Sequence, residues 1–506
     1  MALRQFLYLC PLLMAFAATG CSDPTKSTNR RKPVVFPSSG KKSITKIAAL
    51  EKVVSPPGTF FTTPYLQLGT NATDPGTLSV VWHTAAASAV SLPRWVVETR
   101  SPAGSGGWKK QVAPIRSNRV AVGSVKPHVV YTAAVNGLVP GEPFDYRVLK
   151  SDTPVFAARA NRARPSASQD YRMVLFGDCA EDTAWQKKIA YQTSLLKPDA
   201  VLLTGDIVYP HGRASEYRAN YFPVYGAEKA DPERGAPLLA STLFIGVSGN
   251  HDLAYSSLSK YPDGMAYYYY WKQPLNGWGG DVSAERPPIS GDRTAFEKAA
   301  GESFPVGGNF TFDYGNTHFV AIDANYYMNW QSPKMVAGLR KAVTENPSAT
   351  WRFVVLHVPP FHSSAVHQNE QWMRRLAPLF EETGVDVVWS GHVHNYQRSR
   401  PLHFLPSETK TSDGKVDGTF ALDTVFDGVG VTKPDGVLYV VTGAGGAALY
   451  SKPLTSNADS PEAEPFTAKY DATVHSLTEL TVRGKTLSVR QVDENGKEVD
   501  RWSVTK

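Results

Sequence analysis

The sequence predicts an α/β protein in two parts, an all-β region followed by a larger region in which strands and helices alternate. Three observations predict it. Short strand-like runs without any helix-length amphipathic segment fill residues 58–162. After Arg164, apolar runs of the buried-strand kind alternate with helical periods. The residues able to do chemistry fall directly after those runs, at the strand ends where open α/β sheets collect ligand groups.

Taken in chain order, the first element is an export signal. Arg4 is followed by an apolar run, Phe6 to Ala18, too short to anchor across a hydrocarbon core of about 30 Å and suited to a cleaved signal peptide, residues 1–20. It closes in Ala18-Thr19-Gly20-Cys21, which resembles a bacterial lipobox and makes Cys21 the expected site of lipidation. Two acyl chains would hold the protein on a membrane, and Ser22 is similar to outer-membrane lipoproteins, so the expected location is exported, lipid-anchored and at the outer membrane. Residues 21–57 are rich in Ser, Thr, Pro and Lys and predict a flexible basic tether. The chain of 506 residues has a formal charge of +7, and residues 1–50, with eight Lys and Arg against Asp23 alone, account for all of it. The remainder is formally neutral and offers no basic face, which argues against nucleic acid as a specific partner. Of three cysteines, Cys10 leaves with the signal and Cys179 is expected in the core, so no structural disulfide is predicted.

Residues 58–162 carry the strands Thr77–Trp82, Trp95–Thr99, Val129–Val135 and Phe144–Val148, separated by turn clusters such as Asp74-Pro75-Gly76. That spacing predicts a β-sandwich of immunoglobulin or fibronectin III type. His83 and His128 read as ordinary surface or strand-end histidines. Residues 168–506 hold the apolar runs Met173–Phe176, Ala200–Leu203, Leu243–Val247, Phe319–Ile322, Phe353–Leu356 and Val385–Trp389, with helices over 184–196, 333–343 and 370–382. Residues 401–435 read as a polar loop, and the strand Gly436–Thr442 with the closing strands 476–482, 486–492 and 501–504 is expected to complete the second sheet. An insertion at about 255–310 contains the aromatic run Tyr267-Tyr268-Tyr269-Tyr270-Trp271, read as core filling ahead of a rim contacting substrate.

Five motifs follow strands: Phe176-Gly177-Asp178, Gly205-Asp206-Ile207-Val208-Tyr209, Gly249-Asn250-His251-Asp252, Val355-Leu356-His357 and Gly391-His392-Val393-His394. Singly, each has an ordinary explanation as a turn, cap or structural histidine. Together they place carboxylates, an amide, a phenol and imidazoles at strand ends, without a thiolate, a set suited to borderline or hard transition metal ions. Two Asp and a phenolate favour a trivalent ion beside a divalent one.

The five motifs resemble the metallophosphoesterase (calcineurin-like) superfamily, and Tyr209 in its motif is similar to the purple acid phosphatase branch. The resemblance implies a β-sandwich ahead of a four-layer αββα metallophosphoesterase domain. It also implies two metal ions: Fe(III) held by Asp178, Tyr209 and His394, and a divalent Fe, Zn or Mn held by Asn250, His357 and His392, with Asp206 bridging. His251 would face a phosphate ester substrate, and His367, with His362 as rival, would be the second substrate histidine. Departures are Asp178-Cys179-Ala180, where the family reads Asp-x-Gly or Asp-x-His, Asp252 after Asn-His, and a long span from Asn250 to His357. The implied reaction is phosphomonoester hydrolysis by water that two metals acidify, with His251 or His367 protonating the leaving group. A phosphodiesterase on the same site and a non-catalytic surface-binding protein on this scaffold are the alternatives.

Overall fold

The computed structural model describes residues 49–506 apart from 51, 72, 87–92, 104–105, 254–256, 279–292, 408–413 and 451–463. The expected signal peptide, Cys21, most of the tether and part of the 255–310 insertion therefore lie outside the described residues. No helix among the described residues is long and apolar enough to cross a membrane.

Two large sheets organise residues 171–506. The first contains the parallel strands Tyr171–Phe176, Ala200–Leu203 and Leu243–Gly246. The second runs Phe310–Tyr314, Thr317–Ile322, Trp351–Leu356, Val387–Ser390, Leu438–Thr442, Tyr396–Ser399, Thr467–Asp471 in spatial order. Alternation along each strand splits its side chains between two cores. Met173, Leu175, Leu202 and Ile245 pack with Phe319, Phe353, Val355, Val387 and Val440 in one. Val174, Phe176, Val201 and Leu203 pack outward with Ile189 and Ala190 of the helix Ala184–Leu196, while Val320, Val354 and Leu356 belong to the same outer cluster as Leu339 and Val343 of the helix Pro333–Thr344. Burial on both faces is why these strands read as unbroken apolar runs. The first helix starts where Thr183 accepts from the Gln186 N–H and stops at Lys197 in left-handed conformation.

Three expectations are corrected. The closing strands Ser476–Arg483, Thr486–Asp493 and Glu498–Thr505 do not complete the second sheet. They extend the first, with Ser476–Arg483 antiparallel to Tyr171–Phe176. The stretch read as a polar loop contains the hairpin Leu402–Pro406 with Gly418–Leu422. The segment expected as one helix from Glu370 opens instead with a 3₁₀ turn at Trp372, then the helix Ala377–Glu382, which leaves Glu370 in a loop.

In the N-terminal β-rich region, the strands Thr62–Gln67, Leu78–Ala85, His128–Val135 and Arg116–Val120 continue the first large sheet, giving it ten strands. The join is narrow: Gln67 pairs with Phe244, and the Leu66 N–H donates to the Leu239 carbonyl. A separate four-stranded sheet contains Trp95–Arg100, Phe144–Lys150 and Thr153–Ala160. The sheets meet where Trp95 approaches Trp82 edge-on at 5.4 Å, with Tyr131 stacked on Trp82. His83 and His128 are not surface residues: they are 1% and 0% exposed. Tyr65 Oη lies 3.0 Å from His83 Nε2, Tyr270 Oη 3.0 Å from His128 Nε2, and the Tyr270 ring stacks on His83 at 4.7 Å. The four tyrosines 267–270 are all buried, and Tyr270 fastens this region to the larger one.

Candidate metal centre

The C-terminal ends of the parallel strands of both sheets bring the motif residues together. Three of them, Asp178, Asp206 and His392, have φ of 56°, 47° and 68°. For a non-glycine residue that conformation costs about 1 kcal/mol or more, and such strain gathers where side chains must be aimed. Glycines give the loops room to close: a Cβ on Gly391 would stand 2.6 Å from Asp178 Oδ2 and 3.1 Å from His357 Nδ1.

Each imidazole is anchored on its outer side. His357 Nδ1 lies 2.8 Å from the Thr204 carbonyl, His394 Nδ1 2.7 Å from the Ala448 carbonyl, and His392 Nε2 2.8 Å from Glu370 Oε2. Carbonyls and carboxylates only accept, so those nitrogens carry the protons and the opposite ones present lone pairs. The lone pairs converge. His357 Nε2 is 3.0 Å from Asn250 Oδ1 and 3.2 Å from Asp206 Oδ2, and His392 Nδ1 is 2.8 Å from the same Asn250 oxygen. On the other side, His394 Nε2 lies 3.0 Å from Tyr209 Oη and 3.4 Å from Asp178 Oδ1, while Tyr209 Oη is 3.1 Å from both Asp178 and Asp206. All seven are buried. Buried acceptors facing acceptors demand a cation. Asp206 touches both groups, and Asp206, His357 and His392 converge closely enough for one ion. The donor set therefore fits two metal ions, one on each side of Asp206.

Residues 171–396, which carry these donors, match the family Calcineurin-like phosphoesterase. These residues form a calcineurin-like phosphoesterase domain. Its kinship to purple acid phosphatases is distant. Purple acid phosphatase 18 of Arabidopsis thaliana is 24% identical over 242 residues, 47% of each chain. Purple acid phosphatase 1 of Ipomoea batatas is 25% identical over 240 residues, 47% of this chain and 44% of its own. An uncharacterized protein of Mycobacterium tuberculosis is 23% identical over 419 residues, 78% of this chain and 70% of its own. The chain spans about half the length of the first curated relatives it matches. Among solved structures, purple acid phosphatase PPD1 from yellow lupin (Lupinus luteus) seeds superposes with a TM-score of 0.60 at 16% identity, covering 87% of this chain and 74% of that one, and so shares the fold.

Around the candidate metal centre the remaining motif residues divide. The His251 N–H donates to Asp206 Oδ1 at 2.8 Å; its Nδ1 faces the Pro210 carbonyl, and its Nε2 lies 4.0 Å from Asp206 Oδ2. His367 lies beside His392, the ring centroids 4.1 Å apart. His362 is not on the rim: it is fully buried, its Nε2 on the His367 carbonyl and its Nδ1 accepting from the Ser364 N–H, so it shapes the loop. Cys179 is buried, its Sγ directed to the Ile207 carbonyl, and burial pushes its thiol up to a pKa above the usual range. Asp252 accepts from the Gly249 and Ile207 N–H groups beneath the ligands. Burial, with Asp206 nearby, raises its pKa to about 8. Burial would lower the pKa of His357, but Asp206 and Asp178 override it and raise it to about 9, the same pull toward positive charge that a metal ion at Nε2 would answer.

Two residues absent from the motifs also belong here. Glu370 Oε1 lies 2.9 Å from His367 Nδ1 while its Oε2 holds His392. Burial works against ionisation, yet these two histidines keep the Glu370 carboxyl well below the usual range. Tyr450 stacks on His394 at 4.1 Å and 8°, and its ring is 5.4 Å from His367. The signal in the sequence was faint: Glu370 is three residues after His367, and Tyr450 follows the glycine-rich run at 443–446.

Proposed function

We propose that this chain hydrolyses phosphomonoesters with a dinuclear metal centre, Fe(III) on Asp178, Tyr209 and His394, a divalent Fe, Zn or Mn on Asn250, His357 and His392, and Asp206 between them. The observation that carries the proposal is the inward convergence of lone pairs from three imidazoles whose outer nitrogens are all pinned. The chemistry that two such cations supply is acidified water and neutralisation of charge on the phosphate. The chain's own residues do the rest. His251, with Nδ1 tied to the Pro210 carbonyl, aims Nε2 toward the cluster, where a protonated ring donates to a phosphate oxygen. His367, tied through Nδ1 to Glu370, can deliver a proton from its other nitrogen to the departing alkoxide.

In this reading residues 58–162 are a fibronectin III-like sandwich, 168–506 are a four-layer αββα domain, and the chain is exported with Cys21 lipidated on an outer membrane. Cys21→Ser releasing the protein into a soluble fraction supports that location; unchanged membrane association sinks it. Activity is tested by metal analysis of purified protein and rates on chromogenic monoester and diester substrates after reconstitution with Fe/Zn or Mn. Faster monoester turnover with two ions per chain supports the proposal, faster diester turnover selects the phosphodiesterase, and no turnover with either reconstitution overturns hydrolysis.

A further inference from the structure

The three inward-facing imidazoles are held from outside by different kinds of group. His357 and His394 rest on backbone carbonyls, Thr204 and Ala448, which the fold fixes. His392 alone rests on an ionisable side chain, and the other oxygen of that carboxylate is occupied by His367. We propose that Glu370 is a positioning residue that serves both functions of the site at once, setting the tautomer of His392 toward the metal and of His367 toward the substrate. This rests on the reading of the centre as a dinuclear phosphoesterase.

The geometry carries the argument. Glu370 is half-buried, at 37% side-chain exposure, and reaches His392 at 2.8 Å and His367 at 2.9 Å with separate oxygens. Accepting at His392 Nε2 leaves Nδ1 as the lone pair beside Asn250 Oδ1, and accepting at His367 Nδ1 leaves Nε2 as the nitrogen that gives up a proton when the ring is an imidazolium paired with the carboxylate. The ring planes of the two histidines, 4.1 Å apart and 40° inclined, are fixed by one carboxylate. An amide at position 370 cannot replace it, because it offers one acceptor and one donor group where two imidazole N–H groups need acceptors.

The test reads metal binding, not turnover. Metal-free full-length protein is titrated with Zn²⁺ against a chromogenic chelator. Wild type is expected to take two ions. Glu370→Gln is expected to keep one at wild-type affinity and to bind the other about 10- to 100-fold more weakly, the usual effect of losing such a partner. His367→Ala is expected to keep both, since Glu370 still holds His392. Wild-type affinity for both ions in Glu370→Gln overturns the assignment. Should that variant fail to fold, Glu370→Asp decides: its shorter carboxylate cannot reach both rings, and undiminished binding of both ions again overturns it. Wild type taking fewer than two ions sinks the dinuclear reading itself, a result distinct from either.

Discussion

At the scale of single residues, the site separates groups that bind from groups that move protons. Tyr209 belongs to the first kind: its phenol is buried, 3.1 Å from two carboxylates. Burial, then Asp178 and Asp206, hold its pKa well above the ordinary value, so ionising it requires a cation of high charge. Tyr209→Phe is expected to abolish any visible phenolate-to-iron band in the loaded protein, as read by absorption spectroscopy; unchanged colour removes Tyr209 from the ligand set. His367 is proposed for the second role. His367→Ala is expected to lower kcat about 10²- to 10⁴-fold for alkyl phosphates and far less for aryl phosphates, whose leaving groups need no proton. An equal loss on both classes would place His367 in binding, not proton delivery.

At the scale of elements, the strand ends control the geometry. The loop after Val387–Ser390 turns at Gly391, directly against Asp178 and His357. Gly391→Ala is expected to destabilise the fold by roughly 1–3 kcal/mol, the cost of overpacking, and to weaken metal retention, measured by thermal unfolding and metal analysis. Full stability and two retained ions would show that the loop has slack. The parallel strands were legible because burial on both faces writes itself as an apolar run, and the motifs because each sits at the end of one. Glu370 was hidden because its partner His392 is 22 residues away in sequence and beside it only in the fold. The closing strands were assigned to the wrong sheet because local pattern predicts a strand but not its neighbour, which here is Tyr171–Phe176, some 300 residues earlier. His128 does open a strand, one of the two settings expected for it; the burial of His83 and His128 was hidden for the same reason as Glu370, since Tyr270, which touches both rings, is 142 residues beyond His128.

At the scale of the whole molecule, that aromatic clasp makes stability depend on pH. Burial, then His128, Lys272 and Arg218, lowers the pKa of His83 well below its ordinary value. Burial, offset in part by the Lys126 carbonyl and reinforced by Arg218, lowers that of His128 to about 4. Tyr65 and Tyr270 complete the surroundings and stay neutral. The unfolded chain therefore binds protons that the folded chain refuses. The resulting stability is present above pH about 6.5 and lost as pH falls toward about 4, up to about 3 kcal/mol for His128. His128→Gln is expected to flatten the fall of the unfolding midpoint between pH 7 and pH 4.5; an identical slope would show that the charge is accommodated elsewhere.

The narrow join between Gln67 and Phe244 also governs how this chain can be cut. Removing the N-terminal strands would uncover the flank of the apolar parallel strand Leu243–Gly246 at Phe244, the residue that pairs with Gln67. Bare flanks of that kind recruit one another. The β-rich region covers that point of the sheet, and a trimmed protein is expected to self-associate, as read by light scattering; a monodisperse trimmed protein would show that the join seals nothing.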